Sequence, residues 1–489
     1  MLRAALSFLL LLVSCQIPTT SAPPADSVES GSVPADDRPN LVLIVADDLG
    51  WGDLGSYGQR RIDTPHLDRM AAEGMRFTDF YAGSPVCAPS RCTLLTGKHS
   101  GHAFVRDNWE AGGWNEGDTE GQMPLPAGTP NLARMLQDAG YATACVGKWG
   151  LGGPGTEGAP LQQGFDHFFG YLCQRQAHNF YPTHLWDDET QLPLEGNTWK
   201  NLDGPHYAHD LMTDDALSWV EARTDDGDEP FFLLLTYTIP HLALQVPEDS
   251  IAPYLGRWEE TPYEGNKGYL PHPTPRAAYA GMVSRMDRDV GRLLALLEAQ
   301  GVDDDTMVLF TSDNGATFDI GGADTPFFKS NGDFRGFKGS VYEGGIRVPL
   351  IARWPGRIPD GQVSQAVGAF WDFMPTLLDA ARVEVPDDVD GISLMPVLRE
   401  GWTGDPDRVL YWEFPGYGGQ QALRMGEWML LRRDLRKGKG TPELYHLGDD
   451  PEQTTDLAVA EPVRVAMMLE RMASEREPSK EFPMPGIDR

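Results

Sequence analysis

The sequence predicts an α/β fold with a doubly wound, mostly parallel central sheet. Short continuous apolar runs, rich in β-branched residues, alternate with stretches in which apolar residues recur every three or four positions. The first pattern is typical of strands buried on both faces of a parallel sheet, and the second of amphipathic helices. Their alternation predicts helices on both faces of one sheet. At 489 residues the chain exceeds the usual size of a single core, so we also expect a smaller second domain.

Four apolar runs are predicted strands, and polar residues follow each of them. The runs cover 41–46, 141–146, 231–238 and 307–311. The polar residues that follow are Asp47, Asp48, Lys148, His241, Asp313 and Asn314. Taken singly, an Asp pair or an Asp-Asn-Gly run is also typical of a turn. Because the active site of an open α/β sheet lies beyond the carboxyl ends of its strands, we expect these side chains to converge.

The chain beyond residue 383 shows a different pattern. Short strand-like runs cover 409–412, 428–431 and 443–447, and a helical run covers 463–472. They predict a small α+β subdomain with an antiparallel sheet over 384–489. The catalytic domain is then predicted to span 39–383.

The first residues predict an export signal over 1–14. A short positive start precedes the apolar run 4–13, which is too short to span a bilayer. The run ends in Leu12-Val13-Ser14-Cys15, which resembles the bacterial lipobox, in which cleavage leaves an acylated Cys15. The alternative is an ordinary signal peptide cleaved a few residues later.

The segment 15–38 is rich in Pro, Ser, Thr, Ala and acidic residues, which predicts a disordered tether. We therefore expect an exported protein, periplasmic or held on the outer membrane or cell surface as a lipoprotein. The lipid on Cys15 would be its only membrane contact.

The net charge of −32 excludes some partners. Such a chain repels polyanions, so we expect no nucleic-acid binding, and an anion site must be a local basic cluster. Apart from Cys15 and Cys87, the cysteines are Cys92, Cys145 and Cys173, an odd number scattered among apolar neighbours. This set does not predict a disulfide framework.

The acidic residues after the strands predict a metal site. Asp47, Asp48, Asp313 and Asn314 offer hard oxygen ligands without His or Cys, which suits Ca²⁺ or Mg²⁺ and not zinc. Cys87 lies at the start of a predicted helix, where backbone N–H groups and the helix dipole favour an anion.

Cys87-Ala88-Pro89-Ser90-Arg91 has the pattern C-x-P-x-R. It resembles the signature of type I sulfatases, of the alkaline-phosphatase-like superfamily, in which this Cys is oxidised to formylglycine. The alternative is a small buried Cys beside a Pro-containing turn, which would show the same sequence pattern. The chain resembles the family from about Pro39 to near residue 470, with its motifs in family order.

The resemblance implies that the chain is a sulfuric ester hydrolase, arylsulfatase-like, with a role for each residue. The implied Ca²⁺ ligands are Asp47, Asp48, Asp313, Asn314 and the formylglycine made from Cys87. Arg91 would orient the formylglycine, and Lys148 and Lys338 would bind the sulfate. His241 would protonate the leaving alcohol. A formylglycine-generating enzyme is the implied maturation partner.

One position departs from the family pattern. Relatives commonly have a histidine where this chain has Gly150, in Gly147-Lys148-Trp149-Gly150. In the family that histidine holds the formylglycine hydrate and is assigned to deprotonating it. His178 is our candidate substitute, and a structural histidine is the alternative. Gln174 stands where some relatives have a sulfate-binding serine.

The implied substrate is a sulfated saccharide or an aryl sulfate. The candidate substrate-binding residues are Gln174, Arg175, His178 and Asn179. Further residues able to line a sugar site are Tyr181, His184, Trp186 and Trp412, and the alternative for several of these candidates is a role in packing only. Gly150 and the run 174–178 resemble bacterial sulfatases of 4-sulfated galactose or N-acetylgalactosamine, which we take as the expected substrate.

Two other functions stay open at this point. Members of the same superfamily with the same motif hydrolyse phosphonate or phosphate esters, although they often have more His near the metal. Gly150 also leaves open a surface protein that binds carbohydrate with a decayed active site. Retention of the other site residues argues against the second.

Overall fold

A ten-stranded mixed sheet forms the centre of the protein in the computed structural model, which describes residues 38–111, 120–226, 229–438 and 440–488. The predicted signal segment, Cys15 and nearly all of the predicted tether lie outside these residues. None of the described helices combines the length and the apolar character that crossing a bilayer requires.

The elements alternate along the chain much as predicted. The strands are β1 Asn40–Ala46, β2 Met75–Phe77, β3 Phe80–Tyr81, β4 Glu110–Ala111, β5 Gly121–Gln122, β6 Ala142–Lys148, β7 His167–Tyr171, β8 His184–Asp187, β9 Thr190–Pro193, β10 Phe231–Thr236, β11 Thr306–Ser312, β12 Leu350–Arg353, β13 Gln362–Ser364, β14 Gly368–Ala369, β15 Val409–Phe414, β16 Gln420–Met425, β17 Trp428–Arg432 and β18 Glu443–His446. The α-helices are α1 Pro65–Ala72, α2 Cys87–Thr96, α3 Leu132–Asp138, α4 Ala208–Asp226, α5 Glu248–Ile251, α6 Pro275–Ala299, α7 Thr325–Phe328, α8 Glu343–Ile346, α9 Phe373–Ala380, α10 Met395–Glu400 and α11 Pro462–Ser474.

The large sheet has the order β13-β2-β12-β11-β1-β10-β6-β7-β8-β9. Its five central strands, β11, β1, β10, β6 and β7, are parallel. On either side of them, β12 and β8 pair antiparallel with their neighbours. All four predicted strands are among the central five, so their carboxyl ends share one edge of the sheet.

Strand β1 shows why the sheet is covered on both faces. Val42 and Ile44 lie in one core together with apolar residues of α4 and α6. Leu41 and Leu43 lie in a second core together with residues of α2 and α9. Because successive side chains of a strand point to opposite faces, a continuous apolar run requires helices on both sides. The doubly wound α/β prediction is confirmed.

A separate four-stranded antiparallel sheet, β15-β16-β17-β18, follows the large one. On one face, Leu410 and Trp412 pack with Tyr81 and Trp371 of the preceding part of the chain. On the other, residues of all four strands pack against α11. Helix α10 contributes Val397 to the second core of the large sheet. The predicted domain boundary at residue 383 stays a prediction.

Buried cysteines carry no crosslink among the described residues. Cys87, Cys92, Cys145 and Cys173 are all buried and free. Stability therefore depends on the apolar cores and on buried polar contacts.

Glu413, in β15, is a buried carboxylate that ties the small sheet to the large domain. It accepts hydrogen bonds from Arg106 Nη1 at 2.6 Å and from Arg476 Nε at 2.6 Å. Its backbone N–H donates to Ser100 Oγ at 2.7 Å. Both arginine side chains are themselves buried. One carboxylate thus pairs with two cations at the junction.

We expect Glu413→Ala to lower the free energy of unfolding by about 3–5 kcal/mol, because it leaves both arginines as buried charges without this partner. Chemical or thermal unfolding of the purified variant measures the change. Glu427→Ala is the matched control, since the Glu427 side chain is 66% exposed, and should cost less than about 0.5 kcal/mol. Equal losses in the two variants would contradict the assignment.

Candidate active site

The carboxyl ends of the central strands bring the predicted polar residues to one edge of the sheet. Asp47 and Asp48 directly follow β1, and Lys148 is the last residue of β6. Asp313 directly follows β11, and His241 lies in the loop after β10. All five are buried. The convergence predicted from the sequence is present.

Cys87 is the first residue of α2 and is 1% exposed. Its Sγ lies 3.4 Å from Asp47 Oδ1 and 3.5 Å from Lys338 Nζ. Burial raises the pKa of the Cys87 thiol, and the negative charge of Asp47 raises it further. An unmodified thiol here stays protonated, and a protonated thiol is a poor nucleophile.

The acidic residues form a compact set of possible cation ligands. Atoms of Asp47, Asp48, Cys87 and Asp313 lie within 4.8 Å of one another. Asn314 Nδ2 donates to Asp48 Oδ1 at 2.8 Å, while its Oδ1 is buried without a hydrogen-bond partner among the described residues. Three carboxylates and an unsatisfied amide oxygen fit a hard divalent cation such as Ca²⁺ or Mg²⁺.

Each carboxylate is also paired with one cation of the protein. The pairs are Arg91 Nη2 to Asp313 Oδ2 at 2.8 Å, Lys148 Nζ to Asp47 Oδ2 at 2.6 Å and Lys338 Nζ to Asp48 Oδ1 at 2.7 Å. Three positive charges therefore balance three negative ones. A divalent cation on the carboxylates would free the two lysines for an anion.

The charges shift the protonation equilibria of the site. Burial opposes ionisation of Asp47, but Lys148 and other cations outweigh it and hold the pKa of Asp47 well below its usual range. Burial and the charge of Asp47 raise the pKa of Asp313 above its usual value. Asp47 likewise outweighs burial and raises the pKa of Lys148, which therefore stays charged. The carboxylates compete for the available positive charge, and a bound cation would relieve that competition.

His241 and His178 form a stacked pair, with ring centroids 4.2 Å apart and ring planes 14° from parallel. His241 Nδ1 bonds to the carbonyl oxygen of Leu242, and its Nε2 lies 3.5 Å from Asp48 Oδ2. Burial lowers the pKa of His241 to about 4 and holds the pKa of His178 well below its usual value. Both rings are neutral at pH 7, with Nε2 of His241 facing the acidic cluster.

Gly150 and Gln174 share one small volume. Gly150 has φ +84°, and a Cβ added there would lie 2.8 Å from Gln174 Cγ. Gln174 is fully buried, and neither its Nε2 nor its Oε1 has a hydrogen-bond partner among the described residues. The side chain of Gln174 lies in the space in front of position 150, so a side chain added there would meet it. His178 as a substitute for the family's histidine stays a prediction.

We expect Gly150→Ala to lower the free energy of unfolding by about 2–4 kcal/mol, from positive-φ strain together with the clash against Gln174. Gly155→Ala is the matched control: Gly155 has φ +68° and open space around its Cβ, so it reports the strain alone, about 1 kcal/mol. Adding Gln174→Ala to Gly150→Ala should relieve the clash. Additive effects in this double-mutant cycle would contradict the shared volume.

The other candidate substrate residues are either buried or held by an acidic partner. Asn179 is buried near His178, whereas Arg175 Nε donates to Glu110 Oε2 at 3.0 Å. The rings of His184 and Trp186 both bond to the carboxylate of Glu120. Tyr181 is buried in the core.

Trp412 does not line a sugar site. It is fully buried between the two sheets, and its Nε1 donates to the carbonyl oxygen of Ala82 at 2.8 Å. The packing alternative holds for Trp412, because the alternating faces of β15 direct this ring into a core. Conversely, sequence reasoning missed Tyr269, whose ring centroid lies 6.3 Å from that of His241. No motif surrounds Tyr269 that could have signalled it.

Comparisons with known proteins cover almost the whole described chain. Residues 39–383 match the family model described as Sulfatase, and residues 332–476 match the model described as N-sulphoglucosamine sulphohydrolase, C-terminal.

Two relatives carry the name N-acetylgalactosamine-6-sulfatase. The one from Canis lupus familiaris is 31% identical over 480 residues, and the one from Sus scrofa is 35% identical over 475 residues. Each match covers 88% of this chain and 84% of the relative. Among solved structures, Ps i-CgsB in complex with k-i-k-neocarrahexaose superposes with a TM-score of 0.76 at 26% identity. That match covers 90% of this chain and 94% of the other.

Proposed function

Because this chain belongs to the sulfatase family and is a hydrolase of sulfate esters, we propose that it removes sulfate from a sulfated carbohydrate. The first candidate substrate is galactose or N-acetylgalactosamine sulfated at O4. Relatives named for N-acetylgalactosamine support a galacto-configured sugar, although their names put the sulfate at O6. The resemblance around Gly150 supports O4.

One observation carries the proposal. Cys87 begins a helix at the carboxyl edge of the sheet, and its Sγ lies 3.4 Å from Asp47 Oδ1 and 3.5 Å from the ammonium group of Lys338. A nucleophile in that place is close both to ligands for a cation and to a donor for an anion. A sulfate ester needs both.

We assign the formylglycine of this family to Cys87. The raised pKa of the buried thiol makes an unmodified cysteine unsuited to attack. Formylglycine supplies, as its hydrate, an oxygen nucleophile with a second hydroxyl group on the same carbon. Arg91, whose Nη1 donates to the Lys148 carbonyl at 2.7 Å, is held in place to orient the group at position 87.

We assign a Ca²⁺ site to Asp47, Asp48, Asp313, Asn314 and the group at position 87. The unsatisfied Asn314 Oδ1 and the hard oxygen donors fit that ion. Such an ion, when bound, neutralises charge on a sulfate oxygen and lowers the pKa of an oxygen it holds. These residues bind and orient; none of them moves a proton in this scheme.

Lys148 and Lys338 bind the sulfate in this proposal. Both ammonium groups stay charged, since Asp47 and Asp48 raise their pKa values against the effect of burial. Gln174, with a buried amide that lacks partners among the described residues, is placed to add a hydrogen bond. Donors fixed before the substrate arrives stabilise charge without reorganising.

His241 delivers the proton to the leaving oxygen. Its Nδ1–H donates to the carbonyl oxygen of Leu242, so Nε2 of the neutral ring is the free position that faces the site. Nε2 must take up a proton, forming the imidazolium, before it can give that proton to the leaving oxygen. His178 stacks against this ring and restrains it. We keep His178, Asn179 and Arg175 as substrate-binding residues.

A panel of defined esters tests the proposal. We expect hydrolysis of galactose or N-acetylgalactosamine sulfates, with kcat/KM for the sulfate ester at least about 100-fold above that for the matching phosphate ester. Comparing the hydrolysis of galactose sulfated at O4 with that of galactose sulfated at O6 decides which sulfate position the enzyme cleaves. Faster cleavage of phosphate or phosphonate esters would favour the other hydrolase function of the superfamily. Sugar binding without turnover of any ester would favour a decayed binding protein.

We further propose that the chain is exported and anchored through a lipid on Cys15. This rests on the export-signal pattern of residues 1–14 and on Gln16, which follows Cys15 and favours the outer membrane in lipoproteins. Release of the protein from the membrane fraction after Cys15→Ser would support the lipid anchor.

A further inference from the structure

The turn that joins β15 to β16 holds a tyrosine in an unusual backbone conformation. The Gly419 N–H donates to the Gly416 carbonyl oxygen at 3.0 Å, which closes a four-residue turn. Its two central residues, Tyr417 and Gly418, have φ +48° and φ +96°. Turns with positive φ at both central positions favour Asn, Asp or Gly there, because bulkier side chains are strained. Tyr417 therefore costs stability at a position where the turn itself needs no aromatic ring.

The Tyr417 ring is exposed as well as strained. The residue is 66% exposed, so burial of the ring in a core does not offset the cost of its backbone conformation. A bulky residue at positive φ is uncommon, and such strain is found mostly at ligand-binding and active sites. An exposed tyrosine also offers a flat apolar face with a polar tip. The combination indicates a binding role for this side chain.

Tyr417 lies against the segment that carries Lys338. A Cβ added to Gly339 would be 2.1 Å from Tyr417 Cε2, so the ring rests on the backbone of that glycine. Gln420, at the start of β16, donates from Nε2 to the Gly339 carbonyl oxygen at 2.7 Å. Partial enclosure raises the pKa of the Tyr417 hydroxyl, and the charge of Lys338 opposes that rise. The small sheet thus holds the ring beside the candidate active site.

The ring lies on the outer side of the proposed sulfate site. The Lys338 side chain is 12% exposed, and its Nζ lies 2.7 Å from Asp48 Oδ1 and 3.5 Å from Cys87 Sγ. The ammonium group is therefore the inner end of this side chain, whereas Tyr417 lies at the backbone end, where the surface is open. A sugar whose sulfate is held by the ammonium group would occupy the space between. A second sugar linked to the first would reach the ring.

We infer that Tyr417 binds the sugar linked to the sulfated one, by stacking its ring on the apolar face of a pyranose. The inference rests on the proposed function and narrows its substrate class. The enzyme then acts on sulfated oligosaccharides or polysaccharides in preference to free sulfated monosaccharides. Tyr417 takes no part in the chemical step. It is a specificity-determining residue that the small sheet contributes.

Substrate length is the first test with the parent enzyme. The probes are galactose 4-sulfate, galactose 6-sulfate and disaccharides in which the same sulfated galactose is linked through O1 or through O3 to a second galactose. We expect kcat/KM for at least one disaccharide to exceed that for its monosaccharide about five- to tenfold, the contribution of one stacking contact. No gain with any disaccharide would overturn the inference and leave the sulfatase function intact. A parent that hydrolyses neither these esters nor 4-nitrophenyl sulfate would overturn the proposed function itself.

Tyr417→Ala is the second test. We expect kcat/KM for the preferred disaccharide to fall about five- to tenfold, mainly through KM, because the stacking contact is lost. With the matching monosaccharide the change should be less than about twofold. Tyr417→Phe keeps the ring and should retain at least about half of the parent's kcat/KM for the disaccharide. An equal loss with disaccharide and monosaccharide in Tyr417→Ala would overturn the inference.

Tyr417→Asn separates binding from folding, because asparagine tolerates positive φ and lacks the ring. We expect its unfolding temperature to rise by about 1–2 °C, while kcat/KM for the disaccharide falls as in Tyr417→Ala. A lower unfolding temperature with an unchanged preference for the disaccharide would show that the ring serves only the fold, which would overturn the inference. Trp402→Ala is the matched control, since Trp402 is also an exposed aromatic residue, at 40%, in the loop after α10. It should behave as the parent with both substrates.

Discussion

Cys87→Ala is expected to lower kcat at least about 10⁴-fold, because it removes the nucleophile and leaves only binding and charge stabilisation. KM should change little, since Lys148 and Lys338 still hold the sulfate. Initial rates with 4-nitrophenyl sulfate and with a sulfated galactose measure both constants. The variant should remain folded, because a buried side chain shrinks by a single atom.

Cys92→Ala is the matched control for this substitution. Cys92 lies in the same helix and is also buried, so it reports the effect of removing a buried sulfur elsewhere in α2. We expect a loss of about 1 kcal/mol in stability and no loss of kcat. Peptide mass analysis of the active parent should show the aldehyde at position 87. An unmodified thiol in active enzyme, or an active Cys87→Ala variant, would contradict the formylglycine assignment.

Asp313→Asn is expected to weaken Ca²⁺ binding at least about 100-fold and to lower kcat about 10³-fold at limiting Ca²⁺. The amide keeps the shape of the carboxylate and removes its charge. Raising the Ca²⁺ concentration should restore part of the activity, which a purely structural defect would not show. Metal content after dialysis and activity against added Ca²⁺ are the two measurements.

Asp319→Asn provides the control for Asp313. Asp319 follows six residues later, and its side chain is 68% exposed and paired with Lys267. We expect no change in metal content or in kcat. If Asp313→Asn retained bound Ca²⁺ like the parent, the proposed ligand set would be wrong.

Four of the five central strands of the large sheet were predictable because they are buried on both faces. That burial forces continuous apolar runs, and such runs are easy to find in a sequence. Parallel pairing then places Asp47, Lys148 and Asp313 at one edge of the sheet. The order of the strands could not be predicted, because the sequence of a single strand does not specify its neighbours. Strand β16 escaped prediction because Gln420–Met425 lacks β-branched residues.

The contacts that the sequence did not predict join loops that are distant along the chain. Gln174 fills the space beside Gly150 from a loop after β7, and Tyr269 approaches His241 from a segment before α6. No local periodicity encodes such contacts. The sequence left two roles open for Trp412 for a related reason, since tertiary packing alone decides whether an aromatic residue in a strand faces a core or a pocket.

The near-complete burial of Cys87 has a consequence for the order of events during biosynthesis. In the folded chain its Sγ is enclosed by Asp47, Lys338 and the first turn of α2, and only 1% of the residue is accessible. The maturation enzyme of the proposed function could not reach that sulfur in the folded chain. The proposed oxidation would therefore have to precede the completion of folding, and slower folding of the nascent chain should then raise the fraction of active enzyme.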